Sequence, residues 1–334
     1  MIRKRAKSGF EMPFSWVFAI IVGSIILFLA IYGTSRYIGV AREEQYTKTA
    51  AEIRNYLNPI VTGIATSASP PPIRFTQETR TYFDCREISS QSPIFGRQTI
   101  AFSEKSRIGG DWGEPGGRIS VYNKYIFADE VEEGKILYFG VMGFYMGFKV
   151  DDLVFVSSED YCFVTPPNEV KKKVQGIFQN VNISNTVGDC EEDSVKVCFD
   201  FVDNRCNMTV FGTCNLEDCE TKYDTGYINK GFDSNSFVGN LMYAAIFSSS
   251  DIYECNVKRL GMKMSELSYL YKEKIDLVQT RGCMSDIGAN LDVIAQRSSN
   301  MQSSLDLERI YQEVVAMDEK NEDAVCPIYA GEEY

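Results

Sequence analysis

The 334-residue chain contains no histidine. That absence excludes Ser-His-Asp and Cys-His nucleophile pairs and every metal site that depends on imidazole. It also removes the side chain that ordinarily titrates near neutral pH, so acid–base work would need a strongly shifted Glu, Asp, Lys or Cys. Positive charge is scarce. Against 46 Asp and Glu stand 34 Lys and Arg, a net charge of −12, which argues against nucleic acid as the main partner. There is no Cys-x2-Cys pair, no Gly-x-Ser-x-Gly elbow, no Rossmann fingerprint and no kinase signature. The glycine-rich stretch Gly109–Gly117 lacks the Gly-Lys-Ser/Thr ending of a phosphate cradle and reads as a mobile hairpin tip. The expectation is therefore a protein that is not an enzyme, with no catalytic residue, no cofactor and no metal.

A second absence is informative in the opposite direction. No charged residue occurs between Glu11 and Arg36, an uncharged run of 24 residues from Met12 to Ser35. At about 1.5 Å per residue such a helix reaches roughly 36 Å, more than a hydrocarbon core of about 30 Å. Its centre, Val17 to Tyr32, is apolar on every face. The run exceeds the apolar stretch of a secretory signal peptide and no Ala-x-Ala-like site follows, which favours an uncleaved signal anchor. Arg3, Lys4, Arg5 and Lys7 before the run outweigh Arg36 and Arg42 after it. The positive-inside rule then places the N-terminus in the cytoplasm and the C-terminus outside the cell membrane, in a single pass. The first twelve residues carry +4 −1 = +3, leaving −12 − 3 = −15 for the rest: a basic leader before an acidic ectodomain.

All ten cysteines lie beyond the anchor: Cys85, Cys162, Cys190, Cys198, Cys206, Cys214, Cys219, Cys255, Cys283 and Cys326. In an oxidising compartment they are disulfide candidates, with connectivity unreadable from sequence. Two sequons, at Asn182 and Asn207, are glycosylation candidates in the same region. The acidic clusters Asp189–Asp193 and Glu217–Asp224 match no EF-hand pattern and read as solvated loops.

Periodicity divides the chain. The expected order is a basic leader (1–12), a transmembrane anchor (13–35), a juxtamembrane helical stalk (36–66), a Pro-rich linker (67–72), a β-rich body (73–260), a helical segment packing on that body (261–320) and an acidic tail (321–334). In the stalk Tyr46, Ala50, Ile53, Leu57, Ile60 and Ile64 form a helical stripe that Pro59 should end or kink. That stripe packs on the body or serves self-association. Candidate strands are Thr99–Ser103, Arg118–Phe127, Lys135–Val141, Phe148–Val156, Tyr161–Thr165, Val195–Val202 and Cys206–Phe211. The last two read as an antiparallel hairpin turning at Asp203-Asn204, which would put Cys198 and Cys206 on opposite faces and forbid a bond between them. Leu267, Leu270, Tyr271, Leu277 and Val278, then Ile287, Leu291 and Ile294, then Leu307, Ile310, Tyr311 and Val314, give helical stripes. The fold class is α+β.

The leader Arg3–Ser8 followed by Gly9-Phe10-Glu11 before an apolar helix resembles type IV pilin and archaellin precursors. The resemblance implies cleavage after Gly9 and assembly through the N-terminal helix. The glutamate that this family carries five residues into the mature chain is replaced here by Phe14, and Pro13 also departs from the pattern, so the expectation is an uncut leader. Through Met12-Pro-Phe-Ser-Trp16 and the segment Asn123–Val156 the whole chain resembles uncharacterised single-pass archaeal membrane proteins, which implies an anchor and no particular activity. The leading expectation is a membrane-anchored cell-surface glycoprotein with a structural or binding ectodomain. Its partners would be the lipid bilayer and envelope or surface proteins. A pilin-like subunit and an extracellular hydrolase using carboxylates are the alternatives.

Overall fold

Residues 14–62, 67–68, 70–87, 95–106, 110–213 and 223–330 are described by the structure, a computed structural model. The uncharged run opens a single helix, α1 (Phe14–Thr62), that continues without interruption through the expected boundary between anchor and stalk. Its first part, Phe14–Tyr37, is exposed on all sides and is long and apolar enough to cross a membrane. Further along, Tyr46, Ala50 and Ile53 are buried. Their spacing of four and three puts them on one face, and that face sits in the core of the body. Pro59 does not end the helix near Leu57. A proline removes one i→i−4 bond, and the neighbouring turns carry the helix to Thr62. Leu57, Ile60 and Ile64 of the expected stripe lie outside the described side chains.

The first sheet contains β1 (Ser67–Ala68), β2 (Ile73–Arg86), β3 (Arg97–Glu104), β4 (Ile119–Tyr122), β5 (Tyr125–Phe127), β6 (Val131–Met146) and β7 (Phe148–Ser157). Their order is β4-β3-β2-β6-β7-β5, with β1 added alongside β6. The strand expected over Arg118–Phe127 breaks in two at Asn123, whose φ of 51° cannot continue an extended chain. Both faces of β6 are covered. Leu137, Phe139 and Val141 join Tyr46, Ala50 and Ile53 in one core; Met142, Phe144 and Met146 point into a larger one.

The second sheet is built from β8 (Tyr161–Val164), β9 (Val181–Ser184), β10 (Val195–Phe199), β11 (Met208–Thr213), β12 (Thr225–Lys230) and β13 (Asp233–Val238), with helix α2 (Asn168–Ile177) crossing from β8 to β9. The order is β13-β12-β11-β10-β8-β9, and β8 to β11 run parallel. This corrects the expected hairpin. Strand β10 is parallel to β11, with Val197 opposite Met208 and Phe199 opposite Val210. Asp200, at φ 61°, ends β10. The chain doubles back over residues 200–207 and re-enters beside the strand it left. That return carries Cys206 to Cys198 with their Cα atoms 6.0 Å apart, and the two pair. The argument against this bond held for an antiparallel register only.

Helices begin well before residue 261. Helix α3 (Leu241–Phe247) and helix α4 (Ser250–Gln279) are followed by α5 (Gly288–Ser299) and α6 (Leu307–Glu322). Every residue of α3 is buried. On α4 the buried line runs through Leu260, Met264, Ser268 and Ile275, whereas Leu270 and Leu277 of the expected stripe are exposed. The stripes of α5 and α6 are buried as expected, with Tyr311 half-buried.

Candidate functional site

Among the described residues four cysteine pairs lie at disulfide distance: Cys85–Cys255, Cys162–Cys190, Cys198–Cys206 and Cys283–Cys326. The first spans 170 residues and ties β2 to α4. The last ties the chain beyond α6 back to the end of α4. Cys214, Cys219, Arg3, Lys4, Arg5 and Lys7 lie outside the described residues, as do Glu217, Asp218 and Glu220 of the second acidic cluster. The two sequon asparagines are exposed, Asn182 on the edge strand β9 and Asn207 before β11. The Asn207 carboxamide accepts a hydrogen bond from the Lys196 amide at 2.8 Å. Among the described residues no group of three or more Cys, Asp or Glu is placed to hold a metal ion.

The glycine-rich loop is not a free hairpin tip. The Gly113 and Gly116 amides donate to Glu104 and Phe102, and the Gly117 amide donates to Thr47 Oγ1 of α1 at 2.9 Å. Trp112 stacks beneath Arg80, with 4.0 Å between guanidinium carbon and ring centroid. The loop is part of the seat in which α1 is held.

Three buried charges carry strongly displaced ionisation, and each is bonded as a structural element. Burial pushes Glu132 up to about 7, although its carboxylate accepts from the Asp129 amide and from the Ser158 amide and hydroxyl. Burial lowers Lys230 to about 8; its ammonium donates to the carbonyls of Ile246 and Ser248 at the end of α3. Arg259, fully buried, is lowered to about 10 by burial and donates to Phe95 O, Gln98 Oε1 and Asn256 Oδ1.

A further feature is a small crevice of about 90 Å³. It forms at one edge of the second sheet for a topological reason. Strand β8 ends there and hands on to α2, which contributes Glu169, Val170 and Lys173 from one helical face. Strand β13 runs in the direction of β11, ends at the same edge with Val238, and hands on to α3 through Asn240. Tyr223 and Asp224 enter β12 at this edge, and Tyr145 and Tyr311 close the wall from β6 and α6.

Asn240 fixes the rim: its Nδ2 donates to Gly143 O at 2.8 Å and its Oδ1 accepts from Lys173 Nζ at 3.4 Å. The Tyr223 hydroxyl donates to the Asp200 carboxylate. Tyr243 is only 2% exposed, with its ring packed against Phe178 and Phe155. Its hydroxyl has no hydrogen-bond partner among the described residues, and burial, reinforced by the negative charge of Glu169, pushes its pKa up. Both phenols therefore stay neutral donors. The crevice offers rings, a carboxylate, an ammonium and a neutral phenol, and no nucleophile–base pair.

The sequence marked none of these residues as a site: Asp224 read as part of a solvated acidic loop and Tyr311 as part of a helical stripe. Tyr145, Glu169, Tyr223, Asn240, Tyr243 and Tyr311 are scattered over about half the chain, and only the three-dimensional fold gathers them. No protein-family model, curated protein or solved structure matches the chain.

Proposed function

We propose that the chain is a membrane-anchored surface protein whose ectodomain binds or braces other envelope components and performs no catalysis. The observation that supports this reading is α1 itself. One uninterrupted helix joins an exposed apolar length to a buried seat at Tyr46, Ala50 and Ile53. A 24-residue apolar helix exposed on all faces leaves a large apolar surface that lipid would cover. The cysteine pairs agree with an oxidising location, and the basic leader with a cytoplasmic N-terminus. Because the helical face carrying Tyr46, Ala50 and Ile53 is occupied by the body, the proposal does not include self-association through it.

The test is protease treatment of intact cells, followed by mass spectrometry of the purified N-terminus. The expected result is loss of everything beyond about residue 40 and a chain that still carries Arg3 to Lys7. Full protection of the ectodomain would overturn the orientation. A mature chain beginning at Phe10 would reject the signal anchor in favour of the pilin-like alternative.

A further inference from the structure

We propose that the crevice between α2, α3 and the carboxyl edge of the second sheet binds a neutral polyhydroxylated ligand, one saccharide unit of a glycan, with the Tyr243 hydroxyl donating to it. The inference goes beyond the membrane-anchored reading and does not depend on it, since no crevice residue belongs to α1.

The chemistry of the walls selects the ligand. Tyr243 is nine-tenths and more buried, lines the crevice, and its hydroxyl has no hydrogen-bond partner among the described residues. That hydroxyl is available to donate to a molecule seated in the crevice. The ligand must therefore accept a hydrogen bond. It must also donate, because Glu169 presents a carboxylate. Charge narrows the choice: Lys173 on the rim disfavours a cation, and the Glu169 carboxylate disfavours an anion. Four tyrosine side chains, with Val170, Val238 and Met242, ask for an apolar surface between the polar groups. A sugar ring meets all four conditions: its hydroxyls donate and accept, its C–H face is apolar, and it has no net charge.

The test uses the full chain in micelles of a polyoxyethylene detergent, which has no sugar headgroup. Methyl glycosides of glucose, galactose, mannose, N-acetylglucosamine and N-acetylgalactosamine are titrated to about 50 mM and followed by saturation-transfer NMR. The expected result is that at least one binds with a Kd on the order of 1–10 mM. Tyr243→Phe removes only the unpartnered hydroxyl and should weaken binding about five-fold without lowering Tm. Glu169→Gln should weaken it similarly and keeps the test open if the first variant misfolds. Absence of binding by folded wild-type protein would overturn the proposal. So would binding that both variants leave unchanged, which places the sugar elsewhere. Tetramethylammonium or sulfate saturating the crevice in place of a glycoside would overturn the ligand class.

Discussion

The guanidinium carbon of Arg259 lies 4.8 Å from the ring centroid of Tyr125, and neither Arg259 Nη2 nor the Tyr125 hydroxyl has a hydrogen-bond partner. The pair is sealed in the junction of α4 with the first sheet. Arg259 there satisfies Phe95 O, Gln98 and Asn256, and Gln98 and Asn256 in turn hold both main-chain groups of Ile126. Arg259→Ala should cost about 3–5 kcal/mol, by opening a cavity and stripping partners from buried acceptors. Urea unfolding of the full chain measures it. A loss under about 1 kcal/mol would show that the side chain is not committed to this network.

Glu132 predicts a pH dependence of known sign. Its folded pKa is raised, to about 7 from 4.5, because burial disfavours the charge. The native state then holds the proton over a range where the unfolded state has lost it. This group's contribution to stability falls as pH rises from about 4.5 to 7 and is constant beyond. Thermal unfolding of wild type and Glu132→Gln across that window should show the difference in stability moving toward the variant with rising pH. A flat difference would mean that Glu132 titrates normally.

The two tested extremes of disulfide span should differ. Closing a loop of 170 residues removes more unfolded-state entropy than closing one of 8. On the chain-entropy relation the two bonds are worth about 5 and about 2.5 kcal/mol. Replacing Cys85 and Cys255 together by alanine should therefore lower the denaturation midpoint about twice as far as replacing Cys198 and Cys206. Peptide mapping of the unreduced protein should recover the Cys198–Cys206 link, and its absence would return β10 and β11 to the hairpin register.

Gly212 has no room for a side chain. A Cβ there would stand 2.0 Å from the ring of Tyr223, a residue of the crevice wall held to Asp200. Gly212→Ala should destabilise by about 1–3 kcal/mol through overpacking. It should also displace Tyr223 and weaken any glycoside binding. Unchanged stability would show that this wall yields freely.

Sequence reasoning succeeded where one period dominated. The apolar run and the stripes of α5 and α6 read as helix in any phase, and those helices are where expected. It failed where burial is two-sided or register is free. Strand β2 was missed because Thr79 and Thr81, both buried, occupy inward positions that read as polar. Helix α3 has no polar face to set a period, so its seven residues passed for body. The β10–β11 crossing turned on Asp200 adopting a positive φ, a conformation that aspartate tolerates without requiring. The crevice was invisible for a different reason: each tyrosine is an ordinary residue of its own element, and only the three-dimensional edge makes them neighbours.

The eight residues between Tyr37 and Tyr46 have a mechanical meaning. They are helical throughout, and at about 1.5 Å each they amount to a spacer of roughly 12 Å. With no hinge in it, the spacer acts as a lever. A tilt of the span swings the whole body sideways, and a rotation of the span about its axis changes the heading of the body by the same angle. In the anchored reading every copy would hold its crevice at one clearance above the lipid, so ligands fixed in a layer at that height would be met and those lying flat on the headgroups would be missed.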